Sequence, residues 1–203
     1  MKIKRSDRLF IVGQTGSGKS YLARELLNRT DYVVVVDPKH MFSWEAGRAY
    51  DDIYTTVKEL DQQWEGPAAA IYRPSQAELY TGCNALFSWA WKQGNILVYV
   101  DEAYDLMVGG RSGYWLQKCM KQGRQKKLGI WCGSQRPAFV DLSLITEAQH
   151  FLVGFLAMPQ DRKRMADVAH PKLKDAIPPE HSFYYVGPET RGREPLLVTA
   201  QTI

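Results

Sequence analysis

Residues 13–20 constrain the fold of this chain more than any other stretch, because they match G-x-x-x-x-G-K-[ST] at every fixed position. A short apolar run, residues 9–12, precedes them, and Leu22 and Leu26 follow at helical spacing. The glycines permit a tight turn whose backbone N–H groups point inward, and the next helix adds the positive end of its dipole. A strand, a loop and a helix in this order predict a phosphate-binding loop rather than a flexible glycine turn that happens to contain a lysine.

The loop predicts which groups hold the phosphates of a nucleotide. Lys19 is expected to reach the β- and γ-phosphates, and the hydroxyl of Ser20 is expected to bind Mg²⁺. The predicted nucleotide-binding residues are Gly13, Gln14, Thr15, Gly16, Ser17, Gly18, Lys19, Ser20 and Asp101.

Asp101 and Glu102 directly follow a second apolar run, residues 96–100. Ligands of open α/β sheets bind at the carboxyl ends of the strands, so Asp101 is predicted to bind Mg²⁺ directly or through a second shell. Glu102 lies where an ATPase carries the base that orients the attacking water; the alternative is a solvated helix-cap residue. The sequence has no N-K-x-D motif for reading guanine, which favours ATP over GTP.

Two more polar residues follow another apolar strand, residues 32–36. Asp37 and Lys39 are expected at the same edge of the sheet as Asp101, where Asp37 would brace the loops around the nucleotide. A simple surface turn at Asp37-Pro38 explains them nearly as well.

Apolar runs of strand length alternate with segments of helical periodicity along the chain. Strands are expected over residues 9–12, 32–36, 68–72, 96–100, 128–133 and 151–156, with a terminal hairpin at 182–186 and 195–199. Helices are expected over residues 19–28, 55–64, 75–94 and 114–127, the third with Ser75 as its cap and Glu78 completing a capping box. This alternation predicts an α/β fold with a mainly parallel central sheet flanked by helices and a C-terminal β-hairpin. No linker or repeat divides the chain, so residues 1–203 are expected to form a single domain.

The composition excludes several other classes of protein. The three cysteines are widely spaced and the four histidines lack metal-ligand spacing, which argues against a disulfide scaffold and a zinc site. No run approaches the ~20 apolar residues that a membrane-spanning helix needs, and the N-terminal apolar run is too short for a signal peptide. A cytoplasmic protein is therefore expected. The net charge of +4 is compatible with a polyanionic partner without specifying one.

Three stretches, in the same order along the chain, resemble the HerA–FtsK superfamily of DNA-pumping P-loop ATPases. VVVVDPKH, residues 33–40, resembles the second strand of that family, which often ends in Asp-Pro-Lys. ILVYVDEAYDL, residues 96–106, resembles its Walker B strand. GRQKKLGIWCGSQRP, residues 123–137, resembles the segment in which a basic helix end precedes a strand closed by Gln-Arg-Pro. The compact size is similar to the genome-packaging ATPases of membrane-containing icosahedral double-stranded DNA viruses.

The resemblance implies roles for further residues. Gln135 would be the polar sensor of the γ-phosphate or of the attacking water. Arg124 would act as an arginine finger that reaches the γ-phosphate of a neighbouring subunit. Arg111 is the second candidate for that role, or it contacts DNA in a central pore. The basic residues around Arg124 are otherwise read as a solvated face.

At the level of the whole protein, the resemblance implies a P-loop NTPase domain of the RecA/FtsK type. The implied function is ATP-driven translocation of double-stranded DNA into a viral capsid by a homo-oligomeric, hexameric ring, with ATP and Mg²⁺ as cofactors. A capsid vertex or a membrane protein would be a further partner, in the host cytoplasm or at the packaging vertex of the virion. The alternatives are a Zot-like phage assembly ATPase, which normally carries a membrane helix, a small-molecule P-loop kinase, and a non-hydrolysing scaffold.

Overall fold

The computed structural model describes residues 1–62 and 68–203. The strands in these residues are β1 Arg8–Val12, β2 Val33–Val36, β3 Arg48–Tyr50, β4 Ala69–Tyr72, β5 Leu97–Val100, β6 Gly129–Ser134, β7 His150–Val153, β8 Ser182–Val186 and β9 Leu196–Thr199. The helices are α1 Lys19–Leu27, α2 Ile53–Gln62, α3 Leu79–Gln93, α4 Tyr114–Gln122, α5 Leu142–Thr146 and α6 Pro159–Val168. Within the described residues, no helix has both the length and the apolar character to cross a membrane.

The described strands form one nine-stranded sheet in the order β3-β4-β2-β5-β6-β1-β7-β8-β9. The pairs from β3 to β7 are parallel, and the pairs β7–β8 and β8–β9 are antiparallel. The predicted α/β class, the mainly parallel sheet and the C-terminal hairpin are thereby confirmed. The edge strand β3 was not predicted, because Arg48-Ala49-Tyr50 contains no apolar run and is largely exposed.

The sheet separates two hydrophobic clusters, and successive residues of one strand enter opposite clusters. Phe10 and Val12 face one cluster, whereas Leu9 and Ile11 face the other. Every residue of β1, β2, β5, β6 and β7 is buried. Parallel strands covered on both faces are expected to be continuously apolar, which explains why the apolar runs predicted these strands well.

The helix ends differ from the predictions in ways that local geometry explains. Helix α4 ends at Gln122 and continues as a 3₁₀ turn, Gly123–Lys126, whereas one helix was predicted up to residue 127. Lys127 has a φ of 55°, a left-handed conformation that stops the helix, and the N–H of Leu128 donates to the carbonyl of Gly123. The predicted end of the second helix, residues 63–64, lies outside the described residues.

Two predicted helix starts are also displaced. Asp52 accepts hydrogen bonds from the N–H groups of Tyr54 and Thr55, so α2 begins two residues earlier than expected. The side chains of Ser75 and Glu78 do interact, with the N–H of Glu78 donating to the Ser75 hydroxyl, but they close a turn that precedes α3.

The sheet order brings the polar strand ends together. Val36 at the end of β2 pairs with Val100 at the end of β5, and Val12 at the end of β1 pairs with Ser134 at the end of β6. The residues that follow these strands, including the loop 13–20, therefore lie at one edge of the sheet.

A candidate nucleotide-binding site

The loop 13–20 has the backbone conformation that its glycines allow. Gly16 and Gly18 have φ values of 83° and 88°, in the left-handed region that side chains disfavour. At Gly13, a Cβ atom would collide with the side chain of Ser17. The N–H of Leu22 is bonded to the carbonyl of Gly18, so the N–H groups of residues 19–21, which precede it in α1, lack intrahelical acceptors and are available to an anion.

Lys19 and Ser20 both contact Asp101 across the sheet edge. The Lys19 Nζ donates to the carbonyl oxygen of Asp101 at 2.8 Å and to its Oδ1 at 3.2 Å. The Ser20 hydroxyl donates to the same Oδ1 at 3.1 Å, and the Tyr99 hydroxyl does so at 2.9 Å. Burial, followed by the charge of Asp101, raises the pKa of Tyr99 well above its ordinary value, so Tyr99 remains a donor. The three donors hold the Asp101 carboxylate beside the loop.

The donor set fits a magnesium ion of the kind that is bound together with a nucleotide. A serine hydroxyl and a carboxylate lie 3.1 Å apart, and both are the hard oxygen ligands that Mg²⁺ prefers. In the described parts of the chain, no group of three or more His, Cys, Asp and Glu side chains forms a self-contained metal site. Mg²⁺ in phosphoryl-transfer sites takes few protein ligands and completes its shell with phosphate oxygens and water, so this absence does not conflict with the fit.

Glu102 is bound on one side by β6. Its Oε1 accepts from the Ser134 hydroxyl at 2.7 Å, and the N–H of Gln135 lies 3.1 Å from both carboxylate oxygens. The residue is only 2% exposed. Glu102 is therefore a buried and fixed carboxylate and not the solvated cap residue considered as the alternative.

Gln135 also reaches the phosphate loop. The Thr15 hydroxyl donates to the Gln135 Oε1 at 2.9 Å. The structure thus brings together the loop 13–20, Asp101, Glu102 and Gln135, which were predicted from three separate stretches of the sequence.

Asp37 lies beside this group but has a different environment. It is fully buried, accepts from the N–H groups of Met41 and Phe42, and forms an ion pair with Arg73 at 3.2 Å. Asp37 therefore braces the loop that follows β2, and its buried contacts are not those of a simple surface turn. The loop that Asp37 holds carries Lys39, whose Nζ lies 3.4 Å from Glu102 Oε2.

Among the described residues, neither Arg124 nor Arg111 forms a hydrogen bond or an ion pair with this group. Arg124 is exposed in the 3₁₀ turn before β6, at the opposite end of that strand from Gln135. Burial lowers the pKa of Arg8 at the start of β1, and the nearby charge of Arg124 lowers it further. Arg111 is exposed in a tight loop in which it exchanges backbone hydrogen bonds with Val108. Arg124 therefore cannot reach this group within its own chain from this position.

Aromatic rings contact Lys118 and Lys126, two of the basic residues around Arg124. The Lys118 Nζ lies 4.8 Å from the ring centroids of both Trp91 and Trp115, and the Lys126 Nζ lies 5.2 Å from that of Trp91. Cation–π contacts of this kind fix the lysine side chains on the surface of α3 and α4.

Two parts of the chain after residue 160, for which the sequence predicts no role at the site, lie next to it. Asp161 of α6 is buried and pairs with Arg136 at 2.9 Å, directly after Gln135. A cleft of about 310 Å³ lies on the outer side of the phosphate loop. It is lined by Gln14, Thr15, Gly16, Ser17, Phe155, Pro178, Pro179, Glu180 and His181. No local sequence pattern predicts that residues 178–181 lie beside the loop 13–20. They do so because the chain returns to this edge of the sheet before β8.

Known proteins resemble this chain both in sequence and in fold. No protein-family model matches the chain. In sequence it is similar to the DNA packaging ATPase P9 of Enterobacteria phage PRD1, with 26% identity over 198 aligned positions covering 88% of this chain and 82% of the phage protein.

Two solved structures are similar to this chain in fold. The genome packaging NTPase B204 of Sulfolobus turreted icosahedral virus 2, solved in complex with AMPPCP, superposes with a TM-score of 0.74, 14% identity and coverage of 96% of this chain and 98% of that one. VirB4 of Thermoanaerobacter pseudethanolicus superposes with a TM-score of 0.67, 13% identity and coverage of 98% and 91%. Similarity in sequence to a phage packaging ATPase, together with the fold of P-loop NTPases, confirms the predicted resemblance to the HerA–FtsK-like viral genome-packaging ATPases.

Proposed function

We propose that this chain is the ATPase of a viral genome-packaging motor, in which residues 1–203 act as one domain that couples ATP hydrolysis to the movement of double-stranded DNA. The observation that carries the proposal is the meeting of the loop 13–20, Asp101, Glu102 and Gln135 at one edge of the sheet. Similarity to a DNA packaging ATPase of phage PRD1 supports the choice of DNA packaging over other reactions of P-loop enzymes.

Each group at this edge has a separate role in the proposed reaction. The N–H groups of the loop and the Lys19 ammonium bind the phosphates, while Ser20 and Asp101 would hold Mg²⁺, which would supply positive charge next to the β- and γ-phosphates. Glu102 accepts the proton of the attacking water, and the side chain of Gln135 orients that water or the γ-phosphate. The products are ADP and inorganic phosphate.

The cleft beside the loop is the proposed subsite for the nucleobase. Its volume of about 310 Å³ falls at the lower end of the range of small-ligand pockets. Phe155, Pro178, Pro179 and His181 offer flat or apolar surfaces on which a base can pack. Replacing His181 by Ala is expected to weaken the binding of a non-hydrolysable ATP analogue without changing the affinity for inorganic triphosphate. Equal weakening of both ligands would contradict this subsite.

The oligomer and the other partners are part of the same proposal. We place the chain in a homo-oligomeric, hexameric ring in which Arg124 of one subunit contacts the γ-phosphate bound to the next, since Arg124 is exposed and remote from its own site. Arg111 is the alternative arginine. A capsid vertex or a membrane protein would anchor the ring, at the packaging vertex or in the host cytoplasm.

The decisive experiment measures ATP hydrolysis in the presence and in the absence of double-stranded DNA. The DNA should be longer than the segment that the proposed ring encloses. We expect DNA to stimulate hydrolysis, and we expect the Glu102→Gln variant to show no stimulation. A small-molecule kinase would instead transfer phosphate to an acceptor and would not respond to DNA. Hydrolysis that is identical with and without DNA, in a protein shown to bind ATP, would contradict the packaging function.

A further inference from the structure

Lys39 contacts the carboxylate of Glu102 from the side that β6 does not occupy. Its Nζ lies 3.4 Å from Glu102 Oε2 and 3.9 Å from Asp105 Oδ2. The Lys39 side chain is 34% exposed, whereas that of Glu102 is 2% exposed. The lysine is thus the more accessible member of the pair, and the carboxylate is the member buried beneath it.

The contacts of Glu102 divide into neutral and charged ones. Ser134 and the backbone of Gln135 supply neutral donors from β6, at 2.7 and 3.1 Å. Lys39 supplies a cation from a different strand end. A carboxylate held by neutral donors on one side and by a cation on the other has a more narrowly defined direction than either set alone would give it.

The position of Lys39 is itself fixed by buried contacts of its loop. Asp37 accepts from the N–H groups of Met41 and Phe42 and pairs with Arg73 from the end of β4. The ring of His40 is bonded to the carbonyl of Pro74 at 2.9 Å. The loop after β2 is therefore joined to the end of β4 on both sides of Lys39, which limits where the ammonium can reach.

We propose that Lys39 is a positioning residue for Glu102, and that it aims the carboxylate at the water that attacks the γ-phosphate. Lys39 takes no part in the transfer: the water oxygen bonds to the γ-phosphorus, the bond to the β–γ bridging oxygen breaks, and Glu102 accepts the proton. The proposal rests on the proposed function, since it requires that Glu102 is the base. It also explains why β2 ends in Asp37, whose contacts hold the turn that delivers Lys39.

The first test separates positioning from phosphate binding. In the Lys39→Met variant we expect kcat of DNA-stimulated hydrolysis to fall by about 10- to 100-fold, as for other residues that orient a catalytic group. KM and the Kd of a non-hydrolysable ATP analogue should stay within about twofold of wild type. Lys39→Arg, which keeps the cation, should recover most of the loss. The matched control is Lys172→Met, which removes an exposed lysine paired with Glu194.

The second test asks whether Lys39 acts through Glu102. In the Glu102→Asp background the carboxylate is one methylene shorter, so the ion pair with Lys39 is already lost while a base is retained. We expect Lys39→Met to add little to the loss caused by Glu102→Asp.

Three results would overturn the proposal: an unchanged kcat in Lys39→Met, a loss of analogue affinity above about tenfold, or losses that multiply in the double variant. A failure of the base assignment is recognised separately, because Glu102→Gln would then hydrolyse ATP near the wild-type rate whatever residue stands at position 39.

Discussion

The hydroxyl of Thr15 donates a hydrogen bond to the side-chain oxygen of Gln135 at 2.9 Å, and this contact joins the phosphate loop to the end of β6 across 120 positions of sequence. Gln135 is also bound through its backbone N–H to Glu102. One residue therefore contacts both the loop that would hold the γ-phosphate and the carboxylate that would act on the water.

The Gln135→Ala variant is expected to lose turnover while it keeps its nucleotide affinity. Its backbone N–H still binds Glu102, so the variant removes only the side-chain amide that would orient the water or the γ-phosphate. Loss of one such donor costs about 10²- to 10³-fold in kcat. Steady-state hydrolysis and analogue binding check the two quantities, with the exposed Gln125→Ala as control. A variant that keeps full turnover would remove Gln135 from the proposed site.

Lys19→Ala and Glu102→Gln are expected to separate binding from hydrolysis. Lys19→Ala should abolish nucleotide binding, because the proposed role of the ammonium is to contact the phosphates in the ground state. Glu102→Gln should bind ATP normally and fail to hydrolyse it, since the amide keeps the shape of the side chain but cannot accept a proton. The measurements are equilibrium binding and single-turnover hydrolysis. Hydrolysis by Glu102→Gln within about tenfold of wild type, a barrier change near 1.4 kcal/mol or less, would contradict the base assignment.

Arg124→Ala is expected to reduce turnover by ~10³-fold or more with little change in affinity, because an arginine finger acts mainly in the transition state. The sharper measurement mixes this variant with Lys19→Ala. A mixed ring contains interfaces with one intact Lys19 and one intact Arg124, so two inactive proteins should recover partial activity together. If rings shown to exchange subunits stay inactive, the finger lies elsewhere, and Arg111 becomes the residue to test in the same way.

The cysteine thiols are expected to resist reaction and ionisation in the folded protein. Burial is the main reason why the pKa values of Cys83, Cys119 and Cys132 are raised to about 12 from the ordinary value of 9.0. At pH 8 a thiol reagent should therefore modify all three thiols in denaturant and react far more slowly with the native chain.

The same shift predicts how stability depends on pH. The folded state keeps these thiols neutral, whereas the unfolded state ionises them near pH 9, so their contribution is complete below that pH and is lost as the pH rises toward 12. At pH 10 the free energy of unfolding should fall by roughly 1 kcal/mol per buried thiol. A variant with Ala at all three positions should lack this component, and an identical pH profile for both proteins would contradict it.

The sequence by itself determined the parts of this protein that depend on local pattern. The loop 13–20 is identified by glycine and lysine spacing, and the buried strands are continuously apolar because both faces of the sheet are covered. Asp101 and Glu102 were found because carboxyl ends of parallel strands share one edge, a rule that needs no coordinates.

The tertiary structure decided which of the residues at that edge touch. Neither the contact of Lys39 with Glu102 nor that of Thr15 with Gln135 has a sequence signal, since each depends on the order β2-β5-β6-β1 within the sheet. Pro178 and His181 reach the phosphate loop only because the chain returns before β8 on the outer side of β7. Sequence periodicity records whether a residue is buried, but not which distant strand becomes its neighbour, and that neighbour sets the direction of each side chain at the site.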